Sequence, residues 1–488
     1  MKKNLLAVGL LCAMLLTLVT GCGTSTDEQT PSTSTPEQAV TTEAPETEDL
    51  LDDELGEFDF NKYKFRVLSV THNPANAFTQ FDAETITGEI MNDALYKRNR
   101  ELEKRFNFVF EPMDDSYKNN FNRLKNAVGS QSDEFDMVQL INRNAFSAAL
   151  EGLLMPVNEL TYINPTKPYY MHEINNQMSI KGKNFFYYSE ESVYTLERTY
   201  CLVFNYDIVE DNGLGDYYQL VRDKKWTLER LYSDAQKVTK DVDGNSIYDE
   251  NDIYGLIGCS DWMFAGIYNG TGELTIRKNS DDIPYFASGS SERFANVIEE
   301  LLNQLNSGPH IRINGTSNRN ETVKEFVAEQ ALFAGLTIGY LQNCREMKTD
   351  YGVLPYPLYD ETQDQYYSRV LDGWLHVVPI TNPDPVRTSV IMEALASASA
   401  KQIIPAYYDN VLSMRALRDE EGVEMLDLIR ATRMLDMGEC PWYSTIRKKY
   451  TTDLLRDQSV QLASLNASIE PEINAIIDSA VKAIDMLP

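Results

Sequence analysis

Histidine is scarce in this 488-residue chain, at four residues, and the six cysteines are scattered with no CxxC pair. Neither a zinc-type cluster nor a dense disulfide framework can be assembled from them. Basic side chains are also few. The chain has 44 Lys and Arg against 74 Asp and Glu, a formal charge of −30, which opposes binding to nucleic acid or bare anionic lipid. No GxSxG, HExxH or P-loop pattern is present, and no Ser/His/Asp arrangement can be nominated. Beyond the N-terminus there is no long apolar run, which excludes a multi-span membrane protein. The remaining composition is globular: 43% hydrophobic, 24% charged and 10% aromatic. That is enough for more than one core at roughly 100–200 residues per domain.

The first segment points to a compartment. Met1-Lys2-Lys3 gives a positive start, and Leu5 to Val19 is apolar, broken only by small residues. This is a signal-peptide plan. At 1.5 Å per residue the run covers roughly 20–25 Å, short of a hydrocarbon layer of roughly 30 Å. It ends in Val19-Thr20-Gly21-Cys22, which resembles the lipobox of bacterial lipoproteins. The resemblance implies cleavage behind Gly21, lipidation of Cys22 and anchorage on the outer face of the cell membrane. From Gly23 to about Glu54 the chain is Thr, Ser, Pro and Glu with almost no large apolar residue, so it cannot offset the entropy of ordering and reads as a tether.

The body alternates strands and helices. Lys64 to Val70 is β-rich, and a loop with Thr71, His72, Asn73 and Asn76 follows it. Glu89 to Phe106 carries apolar residues at helical spacing, and Asn107 to Phe110 returns to strand, a βαβ plan. Tyr117 to Val128 is amphipathic, Phe135 to Ile141 reads as a buried strand, and Asn142-Arg143-Asn144 as its loop. Tyr200 to Asn205 and Tyr254 to Gly258 are further strands, with a helix from Thr227 through Val238 between them. After Pro385 the pattern is helical: Val386 to Ala400, Ile404 to Arg418, Glu420 to Leu435 and Glu470 to Met486. Open α/β sheets bind ligands beyond the carboxyl ends of their strands, so the loops after Val70 and Ile141 are expected to matter.

Several stretches resemble the bacterial family 1 extracellular solute-binding proteins. In order they are Gly88-Glu89-Ile90-Met91-Asn92-Asp93-Ala94 with Arg98-Asn99-Arg100 and Glu103 to Asn107; Lys224-Lys225-Trp226-Thr227-Leu228; Asp241 to Gly255; Gln330 to Phe333; Tyr351 to Pro357; and Ile404 to Tyr408 with Arg418 to Glu421 and Met425-Leu426-Asp427. The resemblance implies an α/β, two-lobed type II periplasmic-binding-protein-like fold with a helical C-terminal region, a cleft between lobes and no chemistry. It implies a monomeric, lipid-anchored receptor for a small-molecule solute, with the permease subunits of an ABC importer as partner. The expected organisation is a signal peptide over 1–21, lipidated Cys22 and tether over 22–56, an N-terminal lobe over 57–203, a C-terminal lobe over 204–330, and 331–488 returning to the lobes. Hinge crossings are expected near Thr199 to Asn205, near Ala331 to Thr337 and near Trp374.

Sugar rings expose apolar C–H faces and a rim of hydroxyls, which suits stacking on Trp or Tyr and pairing with Asp, Asn or Arg. Trp262 and Tyr268 follow a strand, Trp374 precedes one, and Trp442 lies with Tyr443 in a Gly/Cys/Pro loop. With Asp82 and Asn142 these are the candidate ligand-binding residues, each weighed against plain packing or capping, and they favour a carbohydrate or oligosaccharide, with a peptide left open. Trp226 is assigned to packing. Asp241, Asp243, Asn245, Asp249 and Asp252 stand at positions 1, 3, 5, 9 and 12 of a Ca²⁺-type loop, but Ser246 replaces the usual position-six glycine. Bound Ca²⁺ and a solvated Asx-turn loop are both open, and no cofactor is required. A glycoside hydrolase is the rival class, with Glu190-Glu191 the one adjacent carboxylate pair in a plausible cleft loop, and a surface adhesin is a third. Cys201, Cys259, Cys344 and Cys440 read as small buried residues.

Overall fold

The computed structural model describes residues 49–71, 78, 80–412, 420–457 and 461–487. The signal peptide, Cys22, the tether up to residue 48, the loop residues His72, Asn73 and Asn76, and Arg418 and Asp419 lie outside the described residues. Nine strands build two main sheets: β1 (Tyr63–Val70), β2 (Phe108–Asp115), β3 (Met137–Ile141), β4 (Tyr200–Asn205), β5 (Tyr254–Gly258), β6 (Ile311–Ile313), β7 (Ala331–Thr337), β8 (Tyr351–Leu354) and β9 (Trp374–Val377).

In the first sheet the order is β9-β3-β1-β2, with β1 parallel to β2 and β3, and β9 antiparallel to β3. Parallel neighbours need a long connection, and the helix Ile90–Phe106 supplies it between β1 and β2. Glu89 caps that helix through the amides of Met91 and Asn92, and Asn107 closes it in the left-handed conformation. Met91, Ala94, Leu95, Arg98, Leu102 and Phe106 form its buried stripe. The second sheet has the order β8-β4-β7-β5-β6, with β4 antiparallel to both β8 and β7 and the β7-β5-β6 pairs parallel. Its strands are nearly all buried, which is why they read as continuous apolar runs rather than alternating ones. Trp226 packs as expected: it is fully buried against Tyr217 and Phe333, and its indole N–H donates to the Pro355 carbonyl at 2.9 Å.

Three sequence expectations are corrected. Asn142-Arg143-Asn144 is not a loop: it opens the helix Asn142–Leu150 directly from β3, because Ala145, Phe146, Ala148 and Ala149 set a buried helical face that local turn preference cannot outweigh. Likewise the residues after β5 enter the helix Ser260–Gly270 at once. The expected crossing at Ala331 to Thr337 is absent, since β7 lies in the interior of the second sheet between β4 and β5. That sheet also takes β8, so its strands extend past residue 330.

The chain passes between the sheets at Arg198–Thr199 and at Val370–Leu371, and the two passages lie side by side. Thr199 bridges Val370, and the Leu371 N–H donates to the Arg198 carbonyl at 3.0 Å. The C-terminal region ties the halves further. Helices Pro385–Ala398 and Ile404–Leu412 touch Ile90–Phe106, Glu420–Ala431 touches β8, and Leu462–Asp485 touches both Asn142–Leu150 and the short strand Pro284–Phe286. Among the described residues no helix is long and apolar enough to cross a membrane.

Candidate functional site

The carboxyl ends of β1 and β3, the start of β9 and the short helix Val193–Glu197 meet in a small apolar cluster of Val70, Ile141, Tyr194 and Trp374. Tyr117, first residue of the helix Tyr117–Gly129 that follows β2, closes on Trp374 edge-on at 6.1 Å and remains 43% exposed. Tyr194 meets the other side of Trp374 at 5.5 Å, and the Arg198 guanidinium lies 4.9 Å from the Tyr194 ring. Burial pushes the Tyr194 hydroxyl up to about 12, against the pull of Arg198. These groups form the first lobe's contribution to the junction.

From the second lobe come Trp262, in the first turn of Ser260–Gly270, and Tyr340, whose ring crosses it at 5.1 Å. Arg319 lies over the Trp262 indole at 4.3 Å. Tyr200, first residue of β4, approaches Trp262 at 5.6 Å on one side and the Arg369 guanidinium at 4.3 Å on the other. Arg369 is fully buried and paired with Glu439, which also accepts from the Tyr268 hydroxyl. Tyr443, 39% exposed, has Arg143 of the first lobe at 5.8 Å and Arg447 at 5.1 Å from its ring. Arg143 also pairs with Asp372 at 3.4 Å.

The structure therefore gathers Asn142, Trp262, Trp374 and Trp442 around the junction, in unequal states. Trp374 and Trp442 keep 6% and 8% of their surface, whereas Trp262 has none left and serves as a core pillar under Arg319. Trp442 stacks edge-on with Phe146 at 5.8 Å. Asn142 is held as the opening residue of its helix, donating its N–H to the Gly373 carbonyl. Tyr268 is buried behind Glu439. The carboxylate of Asp82 is taken by Asn99 at 2.8 Å and Arg100 at 3.0 Å, so its bonding partners lie outside the aromatic group. Tyr117, Tyr194, Arg198, Arg319 and Arg447 escaped the sequence reading, while Arg143 lies in the stretch after Ile141 that it marked without singling the arginine out. Tyr117 alone had a usable signal, its place directly after a strand end.

Glu190 and Glu191 do not act as a pair. Glu190 is buried between Arg430 and Arg433, and Glu191 lies 2.8 Å from the His376 ring. Glu197, beside the first passage, accepts from the Phe78 amide; burial raises its carboxyl to about 7. The four cysteines are buried and free, and burial lifts Cys259 to about 11, with Arg319 acting in the opposite direction.

In the acidic loop, one oxygen each from Asp241, Asp243 and Asp252 lies within 4.8 Å of the others; Asp249 stays outside the trio. Ser246 takes the left-handed conformation that a glycine would favour at its position, φ 65°. The carboxylates also serve the loop itself: Asp241 accepts from the Gly244 and Ser246 amides, and Asp252 from Val242 and Asp249. Two cavities lie elsewhere. One of about 660 Å³ is lined by Tyr232, Gln236, Glu300 and Tyr359, the other of about 700 Å³ by His172, Glu190, Arg430 and Arg433. Neither borders the carboxyl end of a strand in the main sheets, where open α/β sheets hold ligands.

No family model matches the chain, and no curated protein is similar to it. Solved structures are. A cyclo/maltodextrin-binding protein complexed with maltotetraose superposes with a TM-score of 0.56 at 13% identity, covering 89% of this chain and 100% of that one. The chain has the solute-binding-protein fold. An extracellular solute-binding protein from Staphylococcus aureus in complex with maltose gives 0.56 at 12% identity, covering 82% of this chain and 95% of that one. UgpB from Mycobacterium tuberculosis, in complex with glycerophosphocholine, gives 0.54 at 14%, with 80% and 96% covered. At such identities the likeness is one of fold, a two-lobed α/β plan. The junction just described lies beside this chain's two passages, at Arg198–Thr199 and Val370–Leu371.

Proposed function

We propose that this protein is an extracytoplasmic receptor that captures a small-molecule solute, a carbohydrate or oligosaccharide, between its lobes and presents it to the permease of an ABC importer without altering it. One observation carries the reading: aromatic rings placed by both lobes, Tyr117, Tyr194 and Trp374 in the first and Trp262 and Tyr340 in the second, with Tyr443 near Arg143, lie with arginines around the two passages between lobes. Rings offer stacking faces for sugar C–H groups, and Arg143, Arg198 and Asp372 offer donors and acceptors for hydroxyls.

A solute bridging the lobes favours the closed state because only there does it touch both, so its binding energy moves a hinge equilibrium. The adjacent passages at Arg198–Thr199 and Val370–Leu371 are the hinge in this proposal. The apolar run ending at Gly21-Cys22 supports lipid anchorage of the mature chain outside the cytoplasm. A Ca²⁺ ion held by Asp241, Asp243 and Asp252 would brace the second lobe and leave the solute untouched.

X-ray scattering of the full chain with and without maltotetraose and related oligosaccharides tests the mechanism. A fall in radius of gyration on saturable binding, with the sugar recovered intact, is expected. Unchanged compactness with every bound sugar, or sugar cleavage, rejects it.

A further inference from the structure

In a chain of net charge −30, the junction between lobes is built from five arginines, Arg143, Arg198, Arg319, Arg369 and Arg447. Five carboxylates accompany them, and all five are engaged. Glu197, beside Arg198, accepts from the Phe78 amide. Asp372 is paired with Arg143 and Glu439 with Arg369; Asp261 accepts from the Thr451 hydroxyl at 3.0 Å. Asp436, behind Glu439, accepts the amides of Thr275, Ile276 and Gly438. Farther along the first lobe's edge, Asp114 accepts from Ser69, and Asp115 from Asn119 and Arg123. Among the described residues Arg319 and Arg447 have no carboxylate within ion-pair distance; their neighbours are the rings of Trp262 and Tyr443.

Buried polar atoms give a second, independent sign. Arg369 is 1% exposed, yet both its terminal nitrogens lack a hydrogen-bond partner. The indole N–H groups of Trp262 and Trp374, the Nε of Arg319 and the hydroxyl of Tyr200 are likewise buried and unpartnered. The arginine and tryptophan nitrogens can only donate, so what this junction lacks is acceptors. A guanidinium is the costliest buried donor to leave without an acceptor, and Arg369 leaves two of its nitrogens so. The charges also act on their surroundings. Burial raises the Tyr200 hydroxyl, while Arg369 and Arg447 pull it down, so both guanidinium groups bear on the same spot.

We propose that the solute taken up in this junction is an anionic saccharide, one whose carboxylate or sulfate oxygens reach the guanidinium groups of Arg319 and Arg447. This rests on the receptor reading above and narrows its substrate class. The planar guanidinium fork matches such oxygens two at a time, and oxygens that only accept complement donors that only donate. Stacking on Tyr117 or Tyr443 holds the ring, and the arginines select its charge. The net acidic charge of the chain disfavours non-specific anion binding elsewhere on its surface.

The test is calorimetric titration of the full chain with trigalacturonate, its neutral methyl ester, a sulfated disaccharide and maltotriose. Arg319→Gln and Arg447→Gln serve as variants because neither leaves a carboxylate unpaired. Expected is binding of an acidic probe at least about tenfold tighter than maltotriose or the ester, weakened by salt and lost by about tenfold or more in each variant. Preference between trigalacturonate and the sulfated disaccharide tells carboxylate from sulfate. Maltotriose bound as tightly as the acids, with both variants unaffected, overturns the anionic solute and leaves the receptor standing. No saccharide bound by a chain whose circular dichroism shows it folded overturns both.

Discussion

The two lobes place aromatic side chains at the ends of strands or directly past them, and bury them to different depths. In the first lobe Tyr117 and Trp374 belong to a thin cluster of four buried residues with one exposed ring at its edge. In the second, Trp262 merges with the main core and has no surface left. The difference arises in the residues just past the strand. Both β2 and β5 run almost directly into a helix, but Tyr117–Gly129 buries only Asn120, Leu124 and Ala127, whereas Ser260–Gly270 is buried at every residue except Asp261, Trp262 included. Gly266 lets the latter helix lie against Tyr356, since a Cβ there would come within 2.4 Å of that ring. The same residue type thus keeps some surface on one side and none on the other.

Four measurements can break or sharpen that contrast. The largest effect is expected where the pillar side meets the passages: Arg369→Met leaves Glu439 buried and unpaired and should cost about 3–5 kcal/mol in urea unfolding, most of it recovered when Glu439→Gln is added. Trp262→Ala should cost a similar amount, about 3–5 kcal/mol, through the cavity it leaves. A loss under about 1 kcal/mol would deny Trp262 its place in the core. Glu197, beside the first passage, gives a pH-dependent effect. Its carboxyl is raised by burial from the usual range to about 7, so the native state holds the proton more tightly than the unfolded chain. Its contribution is complete below about pH 4.5 and is lost as pH rises through 7. Glu197→Gln should flatten that decline, gaining on the order of 2 kcal/mol at pH 8 and little at pH 4; an unchanged slope between pH 5 and 8 counts against it. Smallest in stability is Tyr117→Ala, under about 0.5 kcal/mol, because the ring is half exposed. Its solute affinity should nevertheless fall about tenfold by titration, the reverse of the pattern for Trp262.

Much of the fold was readable because each element carries a local signal. The strand Tyr254–Gly258 and the helix beginning at Tyr117 fall where periodicity put them, and Glu89 caps the first long helix as an acidic residue before an apolar stripe should. The site was readable only in part. Trp374 and Trp442 stand out as rare residues near strand ends and loops, but nothing local tells their partial burial from the complete burial of Trp262 or Tyr268. Arginines are unremarkable in sequence, and Arg319 and Arg447 gain their meaning from the rings of Trp262 and Tyr443, the first of them on a separate helix. Asp82 was weighed in sequence as a ligand-binding candidate against capping; Asn99 and Arg100, on the helix that follows, take its carboxylate.

By itself the sequence determined which segments form strands and helices and that the chain folds as an α/β protein, because backbone preference and apolar period act over a few residues. It also determined the acidic balance, a plain sum over side chains. Only the tertiary structure decided that Ala331–Thr337 stays within one sheet, that the passages lie side by side, and that five arginines share one junction. Those outcomes depend on which distant strands pair and which faces meet, and such contacts are set by the packing of the whole core rather than by any stretch of the chain.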